Sequence, residues 1–117
     1  MNSKLALGMT TLLLILGLNT ATVAMADEPS VTITSPDDGA KLDVMEQHQL
    51  DYEVVPGPRG DHVHVYIDDV EVDILRELTG SYTLPSIGSG EHDICVRVVN
   101  KAHVPIGIED CIKVSME

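Results

Sequence analysis

The stretch DHVHVYIDDVEVDIL, residues 61–75, contains two alternating apolar runs separated by two aspartates. In DHVHVYI (61–67) every second residue is aliphatic, and this period of two is typical of a half-buried β-strand. VEVDIL (70–75) is a second run of the same kind. Asp68 and Asp69 tolerate the positive φ angles of a two-residue turn, so the stretch predicts a β-hairpin.

The rest of the chain continues this pattern. Further short runs of strand type, separated by turns rich in Gly, Pro and Asp, lie at 31–36, 47–55, 80–87, 92–100 and 109–116. No segment has a convincing helical period, and the chain contains no Trp or Phe, so Val, Ile and Leu must fill the core. About seven short strands in a chain of this size predict an all-β fold, an immunoglobulin-like antiparallel β-sandwich.

The N-terminal segment has a different character. Lys4 precedes the apolar run LALGMTTLLLILGL (5–18), and the segment ends in Ala24-Met25-Ala26. These features predict a secretory signal peptide over 1–26 and a single domain over 27–117. The apolar run is short for a membrane span, so we expect a periplasmic or extracellular protein with no membrane insertion after cleavage.

The charge of the predicted domain is strongly negative. Cleavage removes Lys4 and no acidic residue, so six basic residues face 19 acidic ones, and the net charge is 6 − 19 = −13. A phosphate backbone or an anionic membrane surface would be repelled by such a protein. Nucleic acid is therefore excluded as a partner. The net charge does not identify a protein partner, and the sequence does not determine the oligomeric state.

The two cysteines fit one hairpin. A hairpin centred near His103 pairs residues whose numbers sum to 206, as those of Cys95 and Cys111 do. Both lie on the polar faces of their runs, so they should face each other across the last two strands. In an oxidising compartment this placement predicts a disulfide. A thiolate pair that binds a soft metal is the alternative.

Four segments carry a resemblance to a known group of domains. VTITSPDDGAKL, HVHVYIDD, LTGSYTL and GSGEHDICVRVVNKAHVPIGIE resemble small extracytoplasmic immunoglobulin-like domains of bacteria and archaea with H-x-H-hydrophobic-D and G-x-H motifs. The resemblance covers nearly all of 27–117 and implies the same β-sandwich. Asp69 stands where many of these domains have Gly, and the cysteine pair is not general among them. The resemblance implies no particular function, because function depends on sites rather than on folds.

Three histidines form a candidate metal site. His62 and His64 share the outer face of their predicted strand, because side chains two residues apart project from the same face. If this strand pairs antiparallel with 92–100, His103 in the following loop approaches His62. Three imidazoles suit Cu(II) or Zn(II), and Asp61 could add an oxygen ligand. The alternative is that the pair lies on a solvated strand face and His103 only caps a turn.

The other two histidines are predicted to have structural or no roles. His92 lies at the corner where sandwich domains often have a Tyr that bonds back to the chain, and we interpret it as a substitute for that residue. His48 should be exposed. No catalytic motif is present, so we expect no enzyme. Two functions remain: a secreted or periplasmic protein that binds Cu or Zn through surface histidines, or a metal-free interaction or structural module of the cell envelope that contacts an envelope protein.

Overall fold

A computed structural model describes Gly17 and residues 28–117. Apart from Gly17, the predicted signal peptide 1–26 lies outside the described residues, as does its cleavage site. Eight strands follow one another along the chain: β1 (Ser30–Ser35), β2 (Ala40–Leu42), β3 (Gln49–Val55), β4 (His62–Ile67), β5 (Val70–Leu75), β6 (Thr79–Thr83), β7 (Gly90–Val99) and β8 (Pro105–Met116). None of these residues forms a helix long and apolar enough to cross a membrane.

The strands form two sheets. One has the order β1-β3-β6, and the other has the order β2-β8-β7-β4-β5. All pairings are antiparallel except that of β2 with β8, which is parallel. The predicted all-β, immunoglobulin-like sandwich is confirmed. Its number of strands is eight rather than seven, because the three-residue β2 is too short to produce a recognisable alternation.

The core lies between the sheets and is made of the predicted aliphatic faces. Each of the strands β3, β4, β7 and β8 contributes alternate side chains that are buried: Leu50, Tyr52, Val54, Val63, Val65, Ile67, Ile94, Val96, Val98, Ile112, Val114 and Met116. Burial of apolar area of this kind is the main favourable term in folding. The Tyr52 hydroxyl donates a hydrogen bond to the Glu77 carbonyl oxygen over 2.9 Å, which satisfies its polar end.

The hairpin of β4 and β5 turns at the two aspartates, as predicted. Asp68 and Asp69 have φ angles of 51° and 66°, and Ile67 pairs with Val70. Both central residues therefore lie in the left-handed region that a type I′ turn requires, a region that Asp adopts more readily than most residues.

The hairpin of β7 and β8 carries the disulfide. Cys95 and Cys111 are directly opposite in the register, with Cα atoms 4.1 Å apart, and are bonded to each other. The predicted disulfide is confirmed, and its presence is typical of oxidising compartments. Nearer the loop the register shifts, so that Val99 pairs with Pro105 and the hairpin is centred on Ala102 instead of His103.

Candidate metal site

The two histidines of β4 lie in an interior strand of the larger sheet. β4 pairs with β7 on one side and with β5 on the other. His62 is opposite Val99, and His64 is opposite both Arg97 and Ile74. These neighbours surround the two imidazoles on the face of the sheet that points away from the core.

The burial of these imidazoles corrects one prediction. The face of β4 is as predicted, but His62 is 1% exposed and His64 is 2% exposed, so they are not surface histidines. Alternation along a strand predicts from which face of the sheet a side chain projects. Its exposure depends on whether other side chains cover that face. Here the covering side chains come from neighbouring strands and a distant loop, which a period of two does not reveal.

His103 completes a cluster of three imidazoles. The Nε2 atoms of His62 and His64 are 3.0 Å apart, and each is 3.1 Å from Nδ1 of His103. The predicted convergence of these residues is present, with His103 exposed and the other two buried. Among the described residues, they form the only group of three metal-ligating side chains this close together.

A tight loop between β7 and β8 positions His103. The side-chain oxygen of Asn100 accepts hydrogen bonds from the backbone N–H groups of Ala102 and Val104, over 2.9 and 3.1 Å. The His103 N–H donates to the Asn100 carbonyl oxygen over 2.9 Å, and the φ angle of His103 is 63°. A non-glycine residue in the left-handed region costs about 1 kcal/mol or more, and such residues are concentrated at functional sites.

Carboxylates hold the outer nitrogens of the two buried rings. Nδ1 of His62 donates to Oδ2 of Asp61 over 2.8 Å, and Nδ1 of His64 lies 3.0 Å from Oε1 of Glu71. Asp61, which could have added an oxygen ligand, instead accepts a hydrogen bond from His62 and orients its ring. The role of Glu71 was missed, although the Asp-Asp turn brings Glu71 opposite Tyr66, two residues from His64 on the same face.

These contacts leave lone pairs facing one another. A neutral imidazole carries one N–H group, and in His62 and His64 a proton on Nδ1 would face the neighbouring carboxylate. Both Nε2 atoms are then acceptors, yet they lie 3.0 Å apart. His103 can supply at most one proton between the three nitrogens. A cation at the centre would satisfy all three lone pairs.

The spacing of the nitrogens matches a tetrahedral ion closely. A point about 2.05 Å from each of them, the usual Zn–N distance, lies about 1 Å out of their plane. Ideal tetrahedral angles need ligand nitrogens about 3.3 Å apart, so each ring would move outward by about 0.2 Å. No carboxylate belongs to the cluster, which leaves one coordination position without a ligand among the described residues.

Nearby charges shift two pKa values at the site. Burial holds the pKa of His64 below its usual 6.5, with Glu71 acting in the opposite direction. The pKa of Asp61 is lowered mainly by its hydrogen bond with His62; partial desolvation opposes this, and the charges of His62, Arg76 and Lys101 add smaller lowering effects. Both shifts favour the form that metal binding needs, a neutral imidazole oriented by an ionised carboxylate.

The lowered pKa of His64 predicts a pH-dependent stability of the metal-free protein. Below pH 6.5 the unfolded chain takes up a proton at this position before the folded protein does, so the free energy of unfolding falls as the pH drops toward the folded pKa. The loss is at most about 1.4 kcal/mol per pH unit. Urea unfolding between pH 7.5 and 5 should therefore show a steeper loss for the wild type than for His64→Asn. Equal slopes would contradict the prediction.

The remaining two histidines lie elsewhere. The His92 ring donates from Nε2 to the Gly88 carbonyl oxygen over 2.7 Å and from Nδ1 to Asp68 over 2.6 Å. The bond to Gly88 is the predicted corner contact, and the hydrogen bond with Asp68 is the main cause of the raised pKa of His92. His48 is partly buried rather than exposed, and its Nε2 contacts the Asp43 carbonyl oxygen at 2.7 Å.

The comparisons with known proteins give information on the fold alone. No protein-family model matches this sequence, and no curated protein is significantly similar to it. The chain is similar to the fibronectin(III)-like modules of Clostridium thermocellum CbhA, with a TM-score of 0.63 and 17% identity over 74% of this chain and 96% of that one. An FMN-binding β-glucuronidase from Facaelibacterium prausnitzii L2-6 has a TM-score of 0.56 and 17% identity, over 79% of this chain and 12% of that one.

An engineered protein is also similar, with a TM-score of 0.54 and 20% identity over 77% of this chain and 20% of that one. Identities of this size carry no information on ligands or reactions. What the similarities show is that the chain has an immunoglobulin-like β-sandwich fold, of the kind found in fibronectin(III)-like modules.

Proposed function

We propose that this protein is a non-enzymatic binding protein of the periplasm or cell exterior that binds Zn(II) or Cu(II) through His62, His64 and His103. One observation carries the proposal: three imidazole nitrogens converge within 3.1 Å, while a carboxylate oxygen lies within 3.0 Å of Nδ1 of each of the two buried rings. Such carboxylate–histidine pairs are the usual surroundings of metal-bound imidazoles.

The shape of the cluster favours Zn(II) over Cu(II). Three ligands of a square-planar ion include one trans pair about 4.0 Å apart, whereas Cu(II) and Ni(II) prefer such tetragonal sites. The three separations here are 3.0, 3.1 and 3.1 Å, which is a trigonal face. The intrinsic affinity of imidazole ligands favours the other metal, because imidazole sites generally bind Cu(II) more tightly than Zn(II). Both metals therefore belong in the test.

The test is calorimetric titration of the purified protein with Zn(II) and with Cu(II). We expect one ion per chain and a Kd below about 1 µM, as typical of a preformed site with three imidazoles. His103→Asn, on an exposed loop, should weaken binding at least about 100-fold without affecting the core, and so should the double variant His62→Asn/His64→Asn. The matched control His48→Asn should bind as the wild type does. Binding weaker than about 10 µM, or equal in all variants, would reject the proposal.

Replacement of Glu71 tests the role of the outer carboxylate. Glu71→Gln keeps the size of the side chain but removes the negative charge that lies 3.0 Å from Nδ1 of His64. Loss of such a partner typically lowers metal affinity 10- to 100-fold, and we expect a decrease in Zn(II) affinity in that range. Glu91→Gln, an exposed glutamate in β7, serves as the control. An unchanged Kd in Glu71→Gln would show that the contact does not orient the ligand.

A second candidate function is binding of a partner protein at the free edge of β5. β5 is the last strand of the larger sheet, and its Val70, Val72 and Ile74 are 63%, 39% and 42% exposed. Exposed β-branched residues on an edge strand are typical of surfaces that add a strand from a partner. Glu71 and Asp73 alternate with them, which favours a partner segment with basic side chains.

Photo-crosslinking in the native envelope tests this second function. A crosslinker at position 72 should capture one defined protein, and a crosslinker at position 32 in β1, the edge of the other sheet, should not. A further Ile74→Lys substitution should abolish the capture, because a lysine on an edge strand opposes strand addition. Capture that persists in this variant, or is equal at position 32, would count against the edge of β5.

A further inference from the structure

The charges around the histidine cluster differ from those of the rest of the domain. Residues 28–117 contain six basic side chains. Arg76 lies 3.7 Å from Asp61, the partner of His62, and Lys101 is two residues from His103 in the same loop. Arg59 and Lys101 line one groove together with Gly60 and Asn100, residues that flank the ends of β4 and β7. Half of the basic residues are thus grouped at this end of the sandwich.

The other three basic residues lie elsewhere. Arg97 is bound to Glu109 over 2.6 Å and to Asp69 over 2.9 Å, and Lys113 is 3.8 Å from Asp93. Lys41 is in β2, at the opposite edge of the sheet from β5. At the cluster, the three basic residues and a divalent ion would outweigh the two carboxylates that orient the histidines. The metal-loaded site would be a positive region on a strongly acidic protein.

We propose that the fourth coordination position of the bound metal takes a carboxylate ligand from outside the chain, attracted by Arg76 and Lys101. The inference rests on the proposed metal site. Asp61 and Glu71 lie beside the Nδ1 atoms of His62 and His64 and do not belong to the cluster of three nitrogens, so neither supplies this ligand. Carboxylate oxygens are ordinary Zn(II) ligands, and cations beside the metal raise the local concentration of an anion.

The experiment uses the full protein loaded with Co(II), whose visible absorption reports its coordination. Titration with acetate should change the spectrum to saturation. Arg76→Gln and Lys101→Gln should each weaken acetate binding about threefold, the size expected for loss of one nearby charge in a solvated site. Lys113→Gln is the matched control, because Lys113 is a half-exposed lysine with an equally long contact to an aspartate. It should leave the acetate affinity unchanged.

Two further comparisons identify the source of the carboxylate. A hexapeptide with a free C-terminus that binds more than about tenfold tighter than acetate, while its amidated form does not bind, indicates a protein ligand. Equal affinities of acetate and the free peptide indicate a small anion. Equal responses to acetate and chloride, or none to acetate, would overturn the carboxylate proposal. Absence of Co(II) binding would instead reject the metal site itself, so the two failures are distinguishable.

Discussion

Saturating Zn(II) is expected to raise the Tm of the protein by about 15 °C or more. A ligand that binds only the folded state stabilises it by about 4 kcal/mol at 1,000 times its Kd. For a domain of about 90 residues, each kcal/mol shifts the Tm by about 4–8 °C. His62 and His103, the first and last of the three histidines in the sequence, are 41 residues apart. The unfolded chain therefore does not hold the three side chains together.

Thermal unfolding followed by circular dichroism, with Zn(II) and then with excess chelator, measures this shift. The chelator should return the Tm to its metal-free value. His103→Asn should have nearly the same Tm with and without Zn(II), whereas His48→Asn should respond as the wild type does. A shift below about 2 °C at a Zn(II) concentration far above the measured Kd would contradict a site that exists only in the folded protein.

Removal of the disulfide is the second change with a large expected effect. The bond joins residues separated by 16 positions, and a loop of this length corresponds to about 3 kcal/mol of stabilisation in the chain-entropy model. The variant Cys95→Ser/Cys111→Ser should therefore unfold about 12 °C or more below the wild type. The two cysteines lie in the middle of the β7–β8 register, so their loss also loosens the hairpin whose loop carries His103.

Urea unfolding of the oxidised wild type and the double serine variant gives the change in free energy directly. Addition of a reducing agent should lower the midpoint of the wild type toward that of the variant and leave the variant unchanged. Zn(II) should recover part of the stability in both, because the histidines are retained. A midpoint of the variant within error of the wild type would show that the rest of the hairpin fixes this loop without the bond.

The alternation of apolar residues and the spacing of the two cysteines predicted much of the fold. The alternation of Val63, Val65 and Ile67 gave the correct face of β4, and the turn at Asp68 and Asp69 follows from the backbone freedom of Asp. The cysteine pairing followed from a constant register, which holds from the disulfide as far as Arg97 and Glu109. These features depend on neighbours in sequence or on one hairpin, and the sequence contains that information.

The candidate site was predictable only in part. His62, His64 and His103 do meet, because antiparallel pairing of β4 with β7 brings the loop after β7 to the start of β4. The burial of His62 and His64 was not predictable from alternation, since it depends on side chains from three separate segments. The contact between Glu71 and His64 was predictable, because the register set by the turn at Asp68 and Asp69 already places Glu71 opposite Tyr66.

The loop that holds His103 has a kinetic consequence. In the proposed metal site two ligands, His62 and His64, would be buried in an interior strand, so release of an ion would require movement of the exposed third ligand, His103. The Asn100 side chain restrains that movement through the amides of Ala102 and Val104. Asn100→Ala keeps every imidazole, yet it should shorten the residence time of the ion, seen as faster transfer to a chromogenic chelator. The lifetime of the complex would then be governed by an amide side chain that never touches the metal.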